Sequence, residues 1–199
     1  MIDVAITGCY CSGKSTVMQI LADSGYKTFS CDEYVTKLYT KPEIISDIIK
    51  ELPQTKDENG NFAKHKLFDV FLTEPDSRIK LEEIIHPLVR QKIVELKNNW
   101  QDEVISFFEV PLLFETGIDK QFTKSACCYC LEDTRKKRAI KRGQDKEKGL
   151  NFFHLINSLQ LSQVEKKARA DILIDTEDNI ANITANLFLE LKKLTKEDE

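Results

Sequence analysis

The stretch Val4–Val17, VAITGCYCSGKSTV, contains the pattern that decides the fold. Gly8, four further residues and Gly13-Lys14-Ser15 match the motif G-x-x-x-x-G-K-[ST] in full. An apolar run precedes the motif and a segment with helical spacing of apolar residues follows it, so the motif is predicted to join a strand to a helix. In that context the backbone N–H groups and the helix N-terminus form a nest for an anion. The sequence therefore predicts a phosphate-binding loop for a nucleotide.

The side chains of this loop suggest how a nucleotide is held. Lys14 is expected to reach the β and γ phosphates, and the hydroxyl of Ser15 is expected to bind Mg²⁺. The alternative is a glycine turn with a solvated lysine. The predicted nucleotide-binding residues of the loop are Cys11, Ser12, Gly13, Lys14, Ser15 and Thr16.

Composition limits the class of protein. The chain has 199 residues, of which 41% are hydrophobic and 31% charged, as in a globular protein with one core. The net charge of −4 argues against the broad basic surface that nucleic-acid binding needs. No apolar run approaches the length of a membrane span, and no basic segment precedes a long apolar one. We therefore expect a cytoplasmic monomer that binds neither nucleic acid nor membrane.

The six cysteines do not have the spacing of a zinc site. Cys127 and Cys128 are predicted to be small apolar residues of a buried strand. Disulfides are not expected in a chain without an export signal.

Short apolar runs alternate with segments of helical period along the whole chain. This order predicts a parallel α/β sheet flanked by helices. Pro87 predicts a kink or break in a long helical segment. One helix is predicted over Leu150–Ala168, after a polar break at 143–149. The predicted strands are Ile2–Ile6, Tyr26–Ser30, Val104–Phe108, Ser125–Leu131 and Ile172–Ile174.

Nucleotide binding alone leaves several functions open. A GTPase would need D-x-x-G after a strand and an N/T-K-x-D motif that reads the base. DENG at 57–60 lies in a polar loop and TKED at 195–198 lies at the C-terminal end, so both are interpreted as chance matches. A small kinase, which passes the γ-phosphoryl group to a second molecule, remains.

Further motifs give the chain a family resemblance. CDEYV at 31–35, IIHPLVR at 84–90 and EVPLLFE at 109–115 follow the phosphate-binding loop in that order. With the loop, they make the chain resemble the dephospho-coenzyme A kinase family. Arg138 and Arg142 match the R-x-x-x-R of the family's lid helix, Gln160 matches a lid-helix glutamine, and ADILID at 170–175 matches the family's A-D-x-x-I-D.

The resemblance implies ATP- and Mg²⁺-dependent phosphorylation of the ribose 3′-hydroxyl of dephospho-coenzyme A, the last step of coenzyme A biosynthesis. Another small-metabolite kinase, such as a nucleoside or shikimate-type kinase, and a nucleotide-dependent switch or binding module are the alternatives. The implied fold is a P-loop nucleoside triphosphate hydrolase-type sheet with a helical substrate subdomain and a helical lid. We expect one domain over 1–199, with its core at about 1–32, 101–132 and 170–195, the substrate region at about 33–100 and the lid at about 133–169.

Two groups of residues are candidates for catalysis beside Lys14. Asp32 follows the second predicted strand, where a carboxylate can accept a hydrogen bond from an attacking hydroxyl or can cap a helix. Arg138 and Arg142 share one helix face, which suits either phosphate oxygens or solvent. We predict Arg138 as catalytic and Arg142 as nucleotide-binding.

The acceptor is expected to contact Asp32, His86, Arg90 and Glu109. His86 precedes a proline and could instead pack at a helix kink, and Glu109 could cap a turn. Cys9 and Cys11 stand where the family usually has glycine, yet Gly8 and Gly13 are kept, so the loop is expected to keep its fold. Cys11 is expected to be sensitive to oxidants, because a helix N-terminus lowers the pKa of a nearby thiol.

Overall fold

The computed structural model of the protein describes residues 2–143 and 146–194. This range does not include the TKED match at 195–198, the last residue of the predicted core, or residues 144–145 of the predicted polar break. The strands are Ile2–Thr7 (β1), Lys27–Ser30 (β2), Ile105–Glu109 (β3), Lys124–Tyr129 (β4) and Ile172–Asp175 (β5). The helices are Lys14–Asp23 (α1), Cys31–Leu38 (α2), Pro42–Glu51 (α3), Lys66–Thr73 (α4), Pro75–Asn99 (α5), Glu132–Gly143 (α6), Lys146–Ser158 (α7), Gln163–Arg169 (α8) and Ile180–Leu194 (α9).

The five strands form one parallel sheet with the order β2-β3-β1-β4-β5. β1 lies in the middle, and Val4, Ala5 and Ile6 are fully buried, as expected for a strand covered on both faces. The carboxyl end of β1 therefore lies between the ends of β3 and β4. The predicted α/β fold is confirmed, and the phosphate-binding loop starts at the centre of the sheet.

Contacts divide the chain into two compact units. The first consists of Met1–Ser30 and Trp100–Glu199, and it contains the whole sheet. In its main core, α1 and α9 pack on the sheet through apolar residues such as Val17, Leu21 and Leu187. None of the helices described above has the length and apolar content that a membrane span requires.

The second unit, Cys31–Asn99, is helical. Of the kink or break predicted at Pro87, the break does not occur: α5 continues through Pro87 to Asn99. A proline inside a helix removes one backbone hydrogen bond. A continuous buried stripe on both sides of Pro87 offsets that loss, and α5 packs with it against α3 and α4. The stripe consists of Leu81, Ile85, Val89 and Ile93.

The prediction of one helix over Leu150–Ala168 is wrong. α7 ends at Ser158, and α8 begins at Gln163 with Ser162 as its N-cap. The Ser162 hydroxyl accepts a hydrogen bond from the Glu165 N–H (3.2 Å), and the Glu165 carboxylate accepts one from the Ser162 N–H (2.9 Å). This capping box is visible in the sequence as SQVE, a helix start that the apolar spacing alone conceals.

Gly149 lies inside α7, within the segment predicted as a polar break. A Cβ atom on Gly149 would lie 2.7 Å from the Ile140 Cα and 2.8 Å from the Ala139 carbonyl oxygen of α6. The two helices therefore approach each other too closely for any side chain at this position.

We expect Gly149→Ala to destabilise the protein by about 1–3 kcal/mol, because the added methyl group must push α6 and α7 apart. Helix propensity alone would favour alanine by about 1 kcal/mol, so the sign of the effect tests the close approach. Thermal unfolding followed by circular dichroism measures it. Asn151→Ala on the exposed face of α7 is the matched control, and a Gly149→Ala variant as stable as this control would contradict the prediction.

Candidate active site

The loop between β1 and α1 has an unusual backbone. Gly8, Cys11 and Gly13 all have positive φ, at 143°, 62° and 88°. A Cβ atom on Gly8 would lie 2.3 Å from the Cys128 carbonyl oxygen, so the first motif glycine is needed sterically as well. Cys11 adopts the left-handed conformation that glycine adopts more easily. The loop thus keeps its fold around Cys11, as the sequence predicted.

The loop presents its carbonyl oxygens outward to side chains. Lys14 Nζ donates hydrogen bonds to the carbonyl oxygens of Gly8 (3.0 Å) and Cys9 (3.1 Å). The next three carbonyl oxygens also accept hydrogen bonds. Tyr10 O accepts from Arg135 Nε (2.9 Å), Cys11 O from Arg138 Nη1 (3.3 Å) and Ser12 O from Thr176 Oγ1 (2.7 Å). Because the C=O and N–H of a trans peptide point in opposite directions, the contacts on the Tyr10 and Ser12 carbonyls direct the N–H groups of Cys11 and Gly13 away from Arg135 and Thr176. With the first N–H groups of α1, they form a cradle at the N-terminus of that helix, which suits an anion.

Lys14 lies at the base of this cradle and is buried. The following two residues, Ser15 and Thr16, lie in the first turn of α1 with exposed side chains. The first N–H groups of a helix have no partner within the helix, so those of Lys14 and Ser15 add to the cradle. A buried ammonium and several amides therefore converge on one point.

A cavity of about 530 Å³ lies beside the cradle. Gly13, the N-cap of α1, and Thr16 in its first turn line it, with Thr176 after β5 and Ile180 at the start of α9. The predicted lid arginines, Arg138 and Arg142, line it from α6. The cavity thus combines cationic and apolar groups, as binding of a nucleoside phosphate requires.

The two predicted arginines differ in their contacts. The Arg138 guanidinium donates to the carbonyl oxygens of Thr176 (2.7 Å) and Cys11 (3.3 Å). The Arg142 guanidinium lies over the Tyr10 ring, 5.8 Å from its centroid. The sequence missed Arg135, a buried residue whose contacts with Tyr10 and Asn157 link the loop to α6 and α7. The charge run of α6 does not distinguish Arg135 from its exposed neighbours.

The segment after α7 also fastens the loop. Gln160 Oε1 accepts a hydrogen bond from the Tyr10 N–H (3.1 Å), and the Cys9 thiol donates to the Leu161 carbonyl (3.6 Å). Lys166 of α8 is fully buried and forms an ion pair with Glu115 (2.8 Å). The family resemblance identified Gln160 but assigned it no role. In the structure its side-chain amide contacts the phosphate-binding loop directly.

Glu109 is the last residue of β3 and is buried. It pairs in register with Ile6 of β1 and Ser30 of β2, and its Oε2 accepts a hydrogen bond from the Ser30 hydroxyl (2.8 Å). A carboxylate therefore lies at the same edge of the sheet as the phosphate-binding loop.

The other predicted site residues belong to the second unit. Asp32 is exposed in the first turn of α2, which begins at Cys31. Burial, with a smaller effect of the Asp32 carboxylate, raises the pKa of Tyr39 to about 12.

His86 and Arg90 line a cavity of about 460 Å³ along α5, together with Glu82 and Glu83. Burial chiefly lowers the pKa of His86, and Arg90 and Arg78 add to the effect while Glu82 opposes it. His86 is therefore a neutral imidazole at neutral pH, next to a cationic guanidinium. Such a pair can hydrogen-bond an anionic or polar ligand.

The family model of dephospho-CoA kinase matches residues 2–182 of this chain. The dephospho-CoA kinase of Rickettsia bellii is 33% identical over 194 residues, which cover 94% of this chain and 98% of the relative. The chain belongs to the dephospho-CoA kinase family.

Solved structures share the fold of this chain. TT1252 from Thermus thermophilus is 25% identical with a TM-score of 0.81 and covers 97% of each chain. The dephospho-CoA kinase from Campylobacter jejuni shares the fold at 22% identity, with a TM-score of 0.66 over 99% of this chain and 98% of the other.

Within this dephospho-CoA kinase family member, the cysteines are all inaccessible. The six are buried, and no disulfide joins any of them in the part of the chain that the structure describes. Cys127 and Cys128 are fully buried in β4, as predicted, and burial raises the pKa of Cys127 to about 11.

The expectation of a reactive Cys11 is wrong. Burial raises the pKa of its thiol, and this effect outweighs the opposing charges of Arg142, Lys14 and Arg135. Cys11 packs against Ala139 and Phe153, so the α1 N-terminus does not make it a thiolate. Oxidation requires the thiolate, and the raised pKa of the Cys11 thiol disfavours that form at neutral pH.

We expect almost no thiol of the native protein to react with Ellman's reagent at neutral pH within the time in which all six react in guanidinium chloride. Absorbance of the released thionitrobenzoate gives the number of reactive thiols directly. A single fast equivalent that disappears in Cys11→Ser would show that Cys11 is accessible and would restore the oxidation hypothesis.

Proposed function

We propose that the protein transfers the γ-phosphoryl group of ATP to the ribose 3′-hydroxyl of dephospho-coenzyme A and releases ADP and coenzyme A, the last step of coenzyme A biosynthesis. One observation carries this proposal: a complete phosphate cradle lies in a chain that belongs, over most of its length, to the family named for this reaction. Its action as a cytoplasmic monomer without nucleic acid or membrane stays a prediction of the sequence.

The proposed ATP site depends on positively charged side chains and on the orientation of the backbone N–H groups of the loop. The inward amides and the Lys14 ammonium would hold the β and γ phosphates, because transfer of a phosphoryl group depends mainly on positioning and charge neutralisation. Arg138 and Arg142 bring two further positive charges to the same cavity, which would take the nucleoside. Cys11, Ser12, Gly13, Ser15 and Thr16 would contact the nucleotide through the loop.

Mg²⁺ would be held chiefly by phosphate oxygens, water and the Ser15 hydroxyl. That hydroxyl is exposed in the first turn of α1, at the mouth of the cradle. Mg²⁺ usually keeps several waters and binds together with substrate phosphates. When bound, Mg²⁺ neutralises phosphate charge.

We assign the acceptor to Asp32, His86, Arg90 and Glu109. Glu109 ends β3 at the carboxyl edge of the sheet, and Asp32 follows the end of β2 by two residues in the sequence. A carboxylate at this edge can accept the proton of the attacking hydroxyl. His86 and Arg90 would bind polar or anionic parts of the acceptor, and α6, α7 and α8 would serve as the lid.

The test is acceptor dependence. We expect ADP release from ATP and Mg²⁺ to require dephospho-coenzyme A, with coenzyme A as the product identified by mass spectrometry. Lys14→Ala should reduce turnover to background, which excludes a contaminating kinase. ADP release that is equal without any acceptor would identify a nucleotide switch, and turnover only with another acceptor, such as a nucleoside or shikimate, would identify a different kinase.

Asp32→Asn should lower kcat by about 100-fold or more, since the amide cannot take a proton from the hydroxyl, while the Kd of ATP changes little. Glu33→Gln, also in the exposed first turn of α2, is the matched control and should keep wild-type kcat. Steady-state kinetics and calorimetry measure the two quantities. Near-wild-type turnover of Asp32→Asn would remove Asp32 from the catalytic residues.

A further inference from the structure

Thr176, the residue after β5, is connected to the phosphate-binding loop more closely than its sequence suggests. It is only 1% exposed. Its hydroxyl lies 2.7 Å from the Ser12 carbonyl oxygen and 3.0 Å from the Tyr129 carbonyl oxygen. Its own carbonyl accepts a hydrogen bond from Arg138 Nη2 (2.7 Å). Thr176 therefore links the loop, the end of β4 and α6.

The Thr176 hydroxyl can donate only one hydrogen bond, to the carbonyl of either Ser12 or Tyr129. The backbone hydrogen bonds indicate which of the two accepts it. The Tyr129 carbonyl already accepts the Thr176 N–H at 2.9 Å. The Ser12 oxygen is also the nearer of the two acceptors. The proton is therefore assigned to Ser12.

This hydrogen bond sets the direction of a peptide plane at the centre of the cradle. The Ser12 carbonyl and the Gly13 N–H belong to the same trans peptide and point in opposite directions. Holding the carbonyl toward Thr176 thus aims the Gly13 N–H away from it, at the N-terminus of α1 for which Gly13 is the N-cap. That N–H faces the position of an anion.

Thr176 also limits which residue can stand at position 13. A Cβ atom on Gly13 would lie 2.8 Å from both Cβ and Oγ1 of Thr176. The second glycine of the motif is therefore needed for contact with Thr176 as well as for its φ of 88°.

The other side chains that hold the loop carbonyls are cations: Lys14, Arg135 and Arg138. A phosphate attracts cations, so it competes with the loop for them. The Thr176 hydroxyl is neutral and buried, and its hold on Ser12 does not change when an anion arrives.

We propose that Thr176 is a positioning residue for nucleotide binding: its hydroxyl holds the Ser12 carbonyl and so orients the Gly13 N–H toward the phosphates. This inference rests on the proposed function only in taking ATP as the phosphate ligand.

The experiment compares Thr176→Val, which replaces the hydroxyl with a methyl group, with Thr176→Ser, which keeps the hydroxyl. Calorimetry with Mg-ADP gives Kd, and steady-state kinetics give KM for ATP and for dephospho-coenzyme A. We expect Thr176→Val to raise the Kd of Mg-ADP and the KM for ATP about tenfold, the effect of losing one oriented hydrogen bond. The KM for dephospho-coenzyme A should stay within about twofold, and Thr176→Ser should bind Mg-ADP within about twofold of the wild type.

Matched controls separate positioning from folding. Thr184→Val removes a hydroxyl that donates only within α9, to the Ile180 carbonyl, and should leave the Kd unchanged. If Thr176→Val does not fold, Thr176→Ala and Thr176→Ser give the same comparison of absent and present hydroxyl. Equal Kd values with and without the hydroxyl would overturn the inference.

The same measurements distinguish this failure from failure of the proposed function. A wild-type protein that binds Mg-ADP but does not phosphorylate dephospho-coenzyme A would refute the acceptor assignment and leave the Thr176 comparison valid. A wild-type protein with normal turnover and a Thr176→Val variant of unchanged Kd would refute only the role of Thr176.

Discussion

The phosphate-binding loop depends on the fixed opposition of C=O and N–H in a trans peptide. Five successive carbonyl oxygens, from Gly8 to Ser12, accept hydrogen bonds from the side chains of Lys14, Arg135, Arg138 and Thr176. Because the Tyr10 and Ser12 carbonyls are fixed in this way, the N–H groups of Cys11 and Gly13 are oriented before any ligand binds, and the cost of orienting them falls on folding instead of on binding. The rest of the first unit supplies the groups that hold them.

Those groups come from distant parts of the chain. Arg135 and Arg138 belong to α6, Thr176 follows β5, and Gln160 follows α7. Different contacts position these elements near the loop. β4 and β5 extend the sheet beside β1, and the close approach at Gly149 holds α7 against α6. The buried Lys166–Glu115 pair ties α8 to the segment after β3. The cradle is therefore a product of the whole fold of this unit.

Cys11 shows how tertiary packing can offset local strain. A residue with a Cβ atom in the left-handed region costs about 1–2 kcal/mol relative to glycine. Here the side chain is buried against Ala139 of α6 and Phe153 of α7, and the edge-on contact of Tyr10 with Phe152 lies beside it. Burial of these apolar groups can compensate for the strain. The same burial suppresses ionisation of the Cys11 thiol.

The sequence by itself determined the features that depend on local order. The G-x-x-x-x-G-K-S spacing, the alternation of strands and helices and the order of the later motifs predicted a parallel sheet, its central phosphate-binding loop and the family. Asp32, Glu109, Arg138 and Arg142 could be selected because they lie at strand ends or in a family motif. Only the tertiary structure decided that α5 continues through Pro87, that Cys11 is inert, and that Arg135 and Thr176 hold the loop. These outcomes depend on burial and on contacts between residues more than 100 positions apart, as from Thr176 to Ser12, and no local pattern encodes such contacts.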